Sequence, residues 1–387
     1  MIYLDSAATT LQKPSAVARA MARAVNHLAT PGRGGHAPAM AAAETAFACR
    51  RVAAELFQLE NPEQVVFTFN ATHGLNIAIR SLLEPGDAVV ISGYEHNAVT
   101  RPLRALGAEV RVAEAPLFDR EAQLAAFERQ LDGDVKAVLC THVSNVFGFV
   151  LPVGEIAALC RARGIPFVLD ASQSAGCLPV RMGELGAAFI AMPGHKGLYG
   201  PQGTGLLLCG AETKPLLQGG TGSASALQDM PEFLPDRLEA GTHNMPGIAG
   251  LLEGLRYVRA QGTERILAHE RRLLRPAGEA LARIPGITVF QAEEPAAQAG
   301  VLSFRIDGMD CEAAGEALGR RGIAVRAGLH CAPLAHRSAG TLETGTVRIS
   351  VSAFNTAQEP RRRRELYRTY LHASAGHFHR LGRHLHI

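Results

Sequence analysis

Residues 187–203 read AAFIAMPGHKGLYGPQG: an apolar run of strand length, then a single lysine, Lys196, set among four glycines and two prolines. A short run without a polar face predicts a strand buried on both sides, as in a parallel sheet covered by helices. The loop fits neither common nucleotide pattern. Its lysine precedes most of the glycines, so it is not a Walker A sequence, and it has no G-x-G-x-x-G spacing. Glycines let a backbone come close to a ligand, and a lysine shielded from water has a lowered pKa, which suits an amine that must react.

Similar runs lie on either side: QVVFTF (64–69), DAVVIS (87–92), EVRVAE (109–114), KAVLCTHVS (136–144), IPFVLD (165–170) and GLLLC (205–209). Helix-length patterns such as GLNIAIRSLL (74–83) and GEIAALCRAR (154–163) fall between them, so the expected fold class is α/β with a mostly parallel sheet. After about residue 240 the texture changes. Helical patterns near 247–260, 263–284 and 310–320 alternate with GITVFQ (286–291), VLSFRI (301–306), IAVRAG (323–328) and TVRISV (346–351), a smaller α+β unit. The expected division is a large domain over 15–245 and a small one formed by 1–14 and 246–387. The Gly-rich stretch 218–227 reads as a loop.

With 387 residues and 47% hydrophobic content, about two cores can be buried. A formal net charge of +3 gives no reason to expect a nucleic acid or a membrane surface as partner. The seven cysteines (49, 140, 160, 177, 209, 311, 331) form no C-x-x-C pair, so neither a disulfide framework nor a metal site is expected, and a reducing cytoplasm fits. The start MIYLDSAATT has no signal-peptide character, and no apolar run reaches the length of a membrane span.

Ligands of open parallel sheets sit beyond the carboxyl ends of the strands. Asp170 closes IPFVLD; a turn aspartate is one reading, and a buried acid awaiting a cationic partner is the other. In FNATHGLN (69–76), Thr72 and His73 stand where a helix begins, a place for a simple cap or for a phosphate. His96, in SGYEHN, is a turn histidine or a ring that stacks on a planar ligand. Together with Lys196 these are the parts needed for pyridoxal phosphate: an amine for the aldehyde, an acid for the ring nitrogen and a helix N-terminus for the phosphate.

The combination YLDSAAT (3–9), HVSNVFG (142–148), DASQ (170–173), GHKGLYGPQGTG (194–205), LEAGTHN (238–244) and RAGLHCAP (326–333) resembles the class V aminotransferase superfamily of pyridoxal-phosphate fold type I. Within it the likeness is to the SufS-like and selenocysteine-lyase-like cysteine desulfurases. The resemblance implies Lys196 as the cofactor-bearing lysine and acid/base at the substrate Cα. It implies Asp170 at the pyridine nitrogen, His96 on the ring face, Gln173 at the ring oxygen, and Thr72 and His195 at the phosphate, with His73 beside them. Asn145 would touch the ring substituents or the substrate. Thr242 would serve the phosphate of a neighbouring subunit, which implies a homodimer, and Arg348, with Arg326 nearby, would take the substrate carboxylate. Cys331 would attack the sulfur of L-cysteine, leaving alanine and an enzyme persulfide for an acceptor protein, with His330 and Arg326 favouring its thiolate. The other six cysteines read as small buried hydrophobes. L-selenocysteine as substrate, plain transamination and a non-catalytic sulfur carrier are the alternatives.

The chain departs from the group's pattern in four places. Pro193 replaces a hydroxyl residue, so one phosphate bond is expected to be lost or replaced; Ala71 stands where a second threonine is common; Leu329 stands where histidine is frequent; and HRSAGTLETG (336–345) makes an unusual loop. At the end, EPRRRRELYRTYLHA (359–373) reads as an amphipathic helix and HFHRLGRHLHI (377–387) as a flexible tail without metal.

Overall fold

The computed structural model describes residues 1–32 and 34–356. The expectations for 359–373 and 377–387 lie outside the described residues. The strands are β1 (Ile2–Tyr3), β2 (Val65–Thr68), β3 (Ala88–Ser92), β4 (Glu109–Ala113), β5 (Val135–Thr141), β6 (Phe167–Asp170), β7 (Phe189–Pro193), β8 (Gly205–Cys209), β9 (Ile287–Phe290), β10 (Val301–Ile306), β11 (Ile323–Ala324), β12 (Arg326–Gly328) and β13 (Thr346–Ser350).

Seven of them form one sheet in the order β2-β8-β7-β6-β5-β3-β4. All neighbours are parallel except β8, which runs antiparallel to both β2 and β7. The run FVLD of β6 and the run FIAMP of β7 are buried at every position, as expected of strands with helices on both faces. One apolar core lies on each side of this sheet. The mostly parallel α/β architecture expected from the sequence is the one observed.

A second sheet, β12-β13-β10-β9, is antiparallel and covers a separate core around Leu302, Phe304, Val347 and Ile349. The stretch IAVRAG, read as one strand, is two: β11 pairs with β1 of the N-terminus, while β12 turns to pair with β13. Residues 1–10 thus start in a two-stranded pair with β11 and cross to the loop that follows β7. The helix Met245–Gln261, grouped with the smaller unit on sequence, buries Met245, Ile248, Leu251 and Leu255 in a core of the large sheet. The helices Ser15–His27 and Ala37–Phe57 belong to a stretch the strand pattern left unread, and both pack on Met245–Gln261. Residues 218–227 form no helix or strand, as expected.

Candidate active site

Adjacent strand ends bring the first groups together. Asp170 is the last residue of β6, 3% exposed, and lies opposite Thr141 on one side and Ala191 on the other. Its carboxylate accepts from the amide and the hydroxyl of Ser172, which fixes its orientation. β7 leads directly into the loop of Lys196. Burial pulls the Lys196 ammonium down to about 8; Asp170 opposes the shift, while Arg348 and Arg326 add to it. The amine is thus half neutral near pH 8, where an ordinary lysine is almost wholly charged.

One glycine of this loop, Gly197, is required by the protein's own packing. A Cβ on Gly197 would come within 2.3 Å of the Ala175 carbonyl oxygen, and one on Gly176 within 2.0 Å of the Gly197 oxygen. These two glycines let two backbone segments of the protein touch.

A pocket with about 500 Å³ of empty space is lined by Lys196, Asp170, His96, Thr72, Asn145, Gln173 and His195, among others. The helix Ala71–Leu82 starts on it. Asn70 caps the amide of His73 with its side chain and that of Gly74 with its carbonyl, which leaves the first-turn amides of Ala71 and Thr72 at the pocket. The His96 ring caps the helix Asn97–Leu106 by accepting at Nδ1 from Ala98, and burial lowers its pKa. Gln173 donates to the Ala7 carbonyl at 3.0 Å. The donor set fits pyridoxal phosphate: an acid, an amine, an imidazole, and a helix N-terminus with a hydroxyl and free amides.

His73 is not part of this set. One residue on from Thr72, a helix turns by about 100°, and His73 instead stacks on Phe69 at 4.6 Å and lines a neighbouring cavity. Its expected place at the cofactor is therefore not kept. Thr242 is exposed on that same cavity, outside the pocket of its own chain. The loop that carries it is anchored by buried Glu239, which accepts both guanidinium nitrogens of Arg50, at 2.8 and 2.6 Å, and the amide of Phe67.

The small sheet supplies the remaining groups. Arg348 on β13 is 2% exposed; it donates to Asp5 at 2.7 Å and to the Asn145 carbonyl at 2.9 Å, and its Nε has no partner. Arg326 lies directly opposite it on β12 and is exposed. Cys331 is exposed, and the other six cysteines are buried and unpaired. Burial raises the thiols of all six.

Two cross-links seat the cysteine loop. Asn145 Nδ2 donates to the His330 carbonyl at 2.8 Å, and the Asn97 amide donates to the Cys331 carbonyl at 2.7 Å. The cysteine loop is thereby tied to Asn145, which lines the pocket of Lys196, and to Asn97, the residue after pocket-lining His96. The expectation that His330 favours the thiolate is not met. Its ring is buried, donates through Nε2 to the Thr346 carbonyl at 3.1 Å, and has its pKa held at about 2 by burial and by Arg348, so it carries no charge. Of the two groups named for that role, only Arg326 brings a positive charge.

Sequence reasoning assigned no role to Asp5, Thr9, Lys13, Glu95 or the Arg50–Glu239 pair. Asp5 and Thr9 lay inside the quoted YLDSAAT, but only their contacts reveal what they do. Glu95 is fully buried beside His96, accepts from Ser92 and the Thr141 amide, and is raised to about 8 by burial. Among the described residues no group of three or more His, Cys, Asp or Glu could hold a metal, and no helix is long and apolar enough to cross a membrane.

The family model for aminotransferase class-V matches residues 2–361. A probable cysteine desulfurase of Mycolicibacterium paratuberculosis is 36% identical over 93% of this chain; the chain spans about half that relative, 54% of its length. A probable cysteine desulfurase of Methanothermobacter thermautotrophicus is 34% identical over 92% of both chains. The apo structure of a cysteine desulfurase from Thermococcus onnurineus superposes with a TM-score of 0.87 at 29% identity, covering 96% of this chain and 95% of that one.

Proposed function

This chain belongs to the class V aminotransferase family, and from that premise we propose that it is a pyridoxal-phosphate-dependent cysteine desulfurase, which converts L-cysteine to L-alanine and forms a persulfide on Cys331. The observation that carries the reading is that the loop of the one exposed cysteine is hydrogen-bonded to Asn145, which lines the Lys196–Asp170 pocket, and to Asn97, next to pocket-lining His96. Transamination needs no such thiol.

Pyridoxal phosphate, when bound, supplies an electron sink for the charge left on the substrate Cα when its proton departs. Lys196 carries the cofactor and moves that proton, for which an amine poised near 8 is suited. Asp170 holds the proton on the ring nitrogen. His96 covers the ring and Gln173 meets the ring oxygen. Thr72, the first-turn amides and His195 hold the phosphate. Arg348 takes the substrate carboxylate with N–H groups left over from Asp5 and Asn145, and Asn145 borders the substrate. The Cys331 thiolate, aided by the positive charge of Arg326, attacks the substrate sulfur. An S–S bond forms and the C–S bond breaks, its electron pair staying with carbon, which is then protonated to alanine.

The exposed position of Thr242, outside its own pocket, supports a homodimer in which it serves the partner's phosphate. An exposed persulfide supports transfer to an acceptor protein, and seven unpaired thiols fit a reducing cytoplasm. The test is an absorption spectrum before and after L-cysteine, followed by the mass of the peptide containing Cys331. Cofactor absorbance, alanine release and one added sulfur on that peptide are expected. A protein without cofactor absorbance, or sulfur release that persists undiminished in Cys331→Ala, would overturn the reading.

A further inference from the structure

The carbonyl oxygen of His195 is crowded with donors. The Thr10 amide lies at 3.2 Å, the Thr10 hydroxyl at 3.0 Å and the Lys13 ammonium at 2.8 Å. The Thr9 hydroxyl lies 3.3 Å from the same oxygen, but 3.0 Å from Nδ1 of the His195 ring. A threonine hydroxyl has one proton to give, and a carbonyl oxygen has two lone pairs. With that oxygen already served, the Thr9 proton belongs on Nδ1.

The choice matters because the ring is neutral. Burial and the charges of Lys196 and Lys13 hold its pKa at about 4, so it has one N–H to place. If Nδ1 carried the hydrogen and donated to Thr9, Nε2 would present a lone pair to an anionic ligand, which is repulsive. If Thr9 donates to Nδ1, Nε2 becomes a donor.

Thr9 is itself held. Its amide reaches the Asp5 carbonyl at 3.3 Å, and its carbonyl accepts from the Tyr3 hydroxyl at 2.8 Å, Tyr3 being on the strand that pairs with β11. Pro193, with neither N–H nor hydroxyl, removes a donor from the same pocket and makes the His195 donor count for more.

We propose that Thr9 is a positioning residue that donates to Nδ1 of His195 and so holds its Nε2–H as a donor to the phosphate group of the cofactor. This rests on the reading of the pocket as a pyridoxal phosphate site. The test is equilibrium binding of pyridoxal phosphate and of pyridoxal, which lacks the phosphate, to the cofactor-free protein and to Thr9→Val and Thr9→Ser. It is joined by 15N spectra of the His195 ring, assigned with His195→Gln. Thr9→Val should weaken pyridoxal phosphate by about tenfold while changing pyridoxal by less than about twofold, and Thr9→Ser should restore the wild-type value. The ring spectrum should report Nε2–H in the wild type and lose that preference in Thr9→Val. Unchanged phosphate-dependent binding in Thr9→Val, equal losses for both ligands, or an Nδ1–H ring in the wild type would overturn the proposal. A wild-type protein that takes up neither ligand would overturn the cofactor reading itself, and this proposal with it.

Discussion

Lys196 and Asp170 stand at the ends of two neighbouring parallel strands of the large sheet, whereas Cys331, though it too follows a strand, β12, by three residues, stands in a turn of left-handed backbone. Asp170 needs only β6, and Lys196 follows β7 by three residues. In the cysteine loop, His330 and Cys331 have φ of 50° and 57°, two successive side-chain-bearing residues in the left-handed region. Such residues cost of order 1 kcal/mol each, and the bonds from Asn145, from Asn97 and to Thr346 hold them there. The first half of the site is therefore local to the sheet. The second depends on contacts between the two sheets, and the two halves should be separable by substitution.

The largest effects come from removing the reacting groups. Lys196→Ala should abolish both cofactor absorbance and turnover, while Cys331→Ala should abolish persulfide formation yet keep the cofactor spectrum. Mass analysis and absorbance on the same samples check the split. Next, Arg348→Lys replaces a planar fork by a point charge and should raise KM for L-cysteine about a hundredfold, with cofactor affinity little changed, as steady-state kinetics would show. Asn145→Ala removes the donor to the His330 carbonyl and should slow persulfide formation by about tenfold, a loss that burst kinetics would place in the sulfur step rather than in cofactor binding. A burst unchanged in rate would mean the strained loop holds itself. The smallest effect is one of pH on the pocket alone. Cofactor uptake by the cofactor-free protein requires a neutral Lys196, so its rate should climb up to about pH 8 and level off above. For the same reason the unfolded chain binds an extra proton at this lysine between about 8 and the ordinary value of 10.5, so the contribution of Lys196 to the stability of the cofactor-free protein should rise with pH in that window. The difference in stability between the wild type and Lys196→Met in denaturant titrations should carry that rise.

The sheet half was the more legible in the sequence. Each run of the large sheet became a strand within a few residues of its expected ends, because burial on both faces leaves a continuous apolar signature; the edge strand β4, largely exposed, carries it least. Asp170, Lys196, Thr72 and His96 followed from their places after those runs. The cysteine loop was legible as a motif but not as chemistry. His330 looked like a cation beside the thiol, and only its burial under β13 shows it to be neutral. His73 looked like a phosphate neighbour until the pitch of the helix turned it away. The split of IAVRAG into β11 and β12 had no local signal, since both pieces are short and no Gly or Pro stands between them.

The sequence by itself determined the residue types of the site and the order of the strands that carry the first half, since apolar periodicity and glycine placement are local properties of the chain. Only the tertiary structure decided which of those residues meet and in what charge state. Arg348 reaches Asp5 and Asn145 across 343 and 203 residues of chain, and the desolvation that neutralises His195 and His330 and lowers the pKa of Lys196 comes from groups packed around them by the fold.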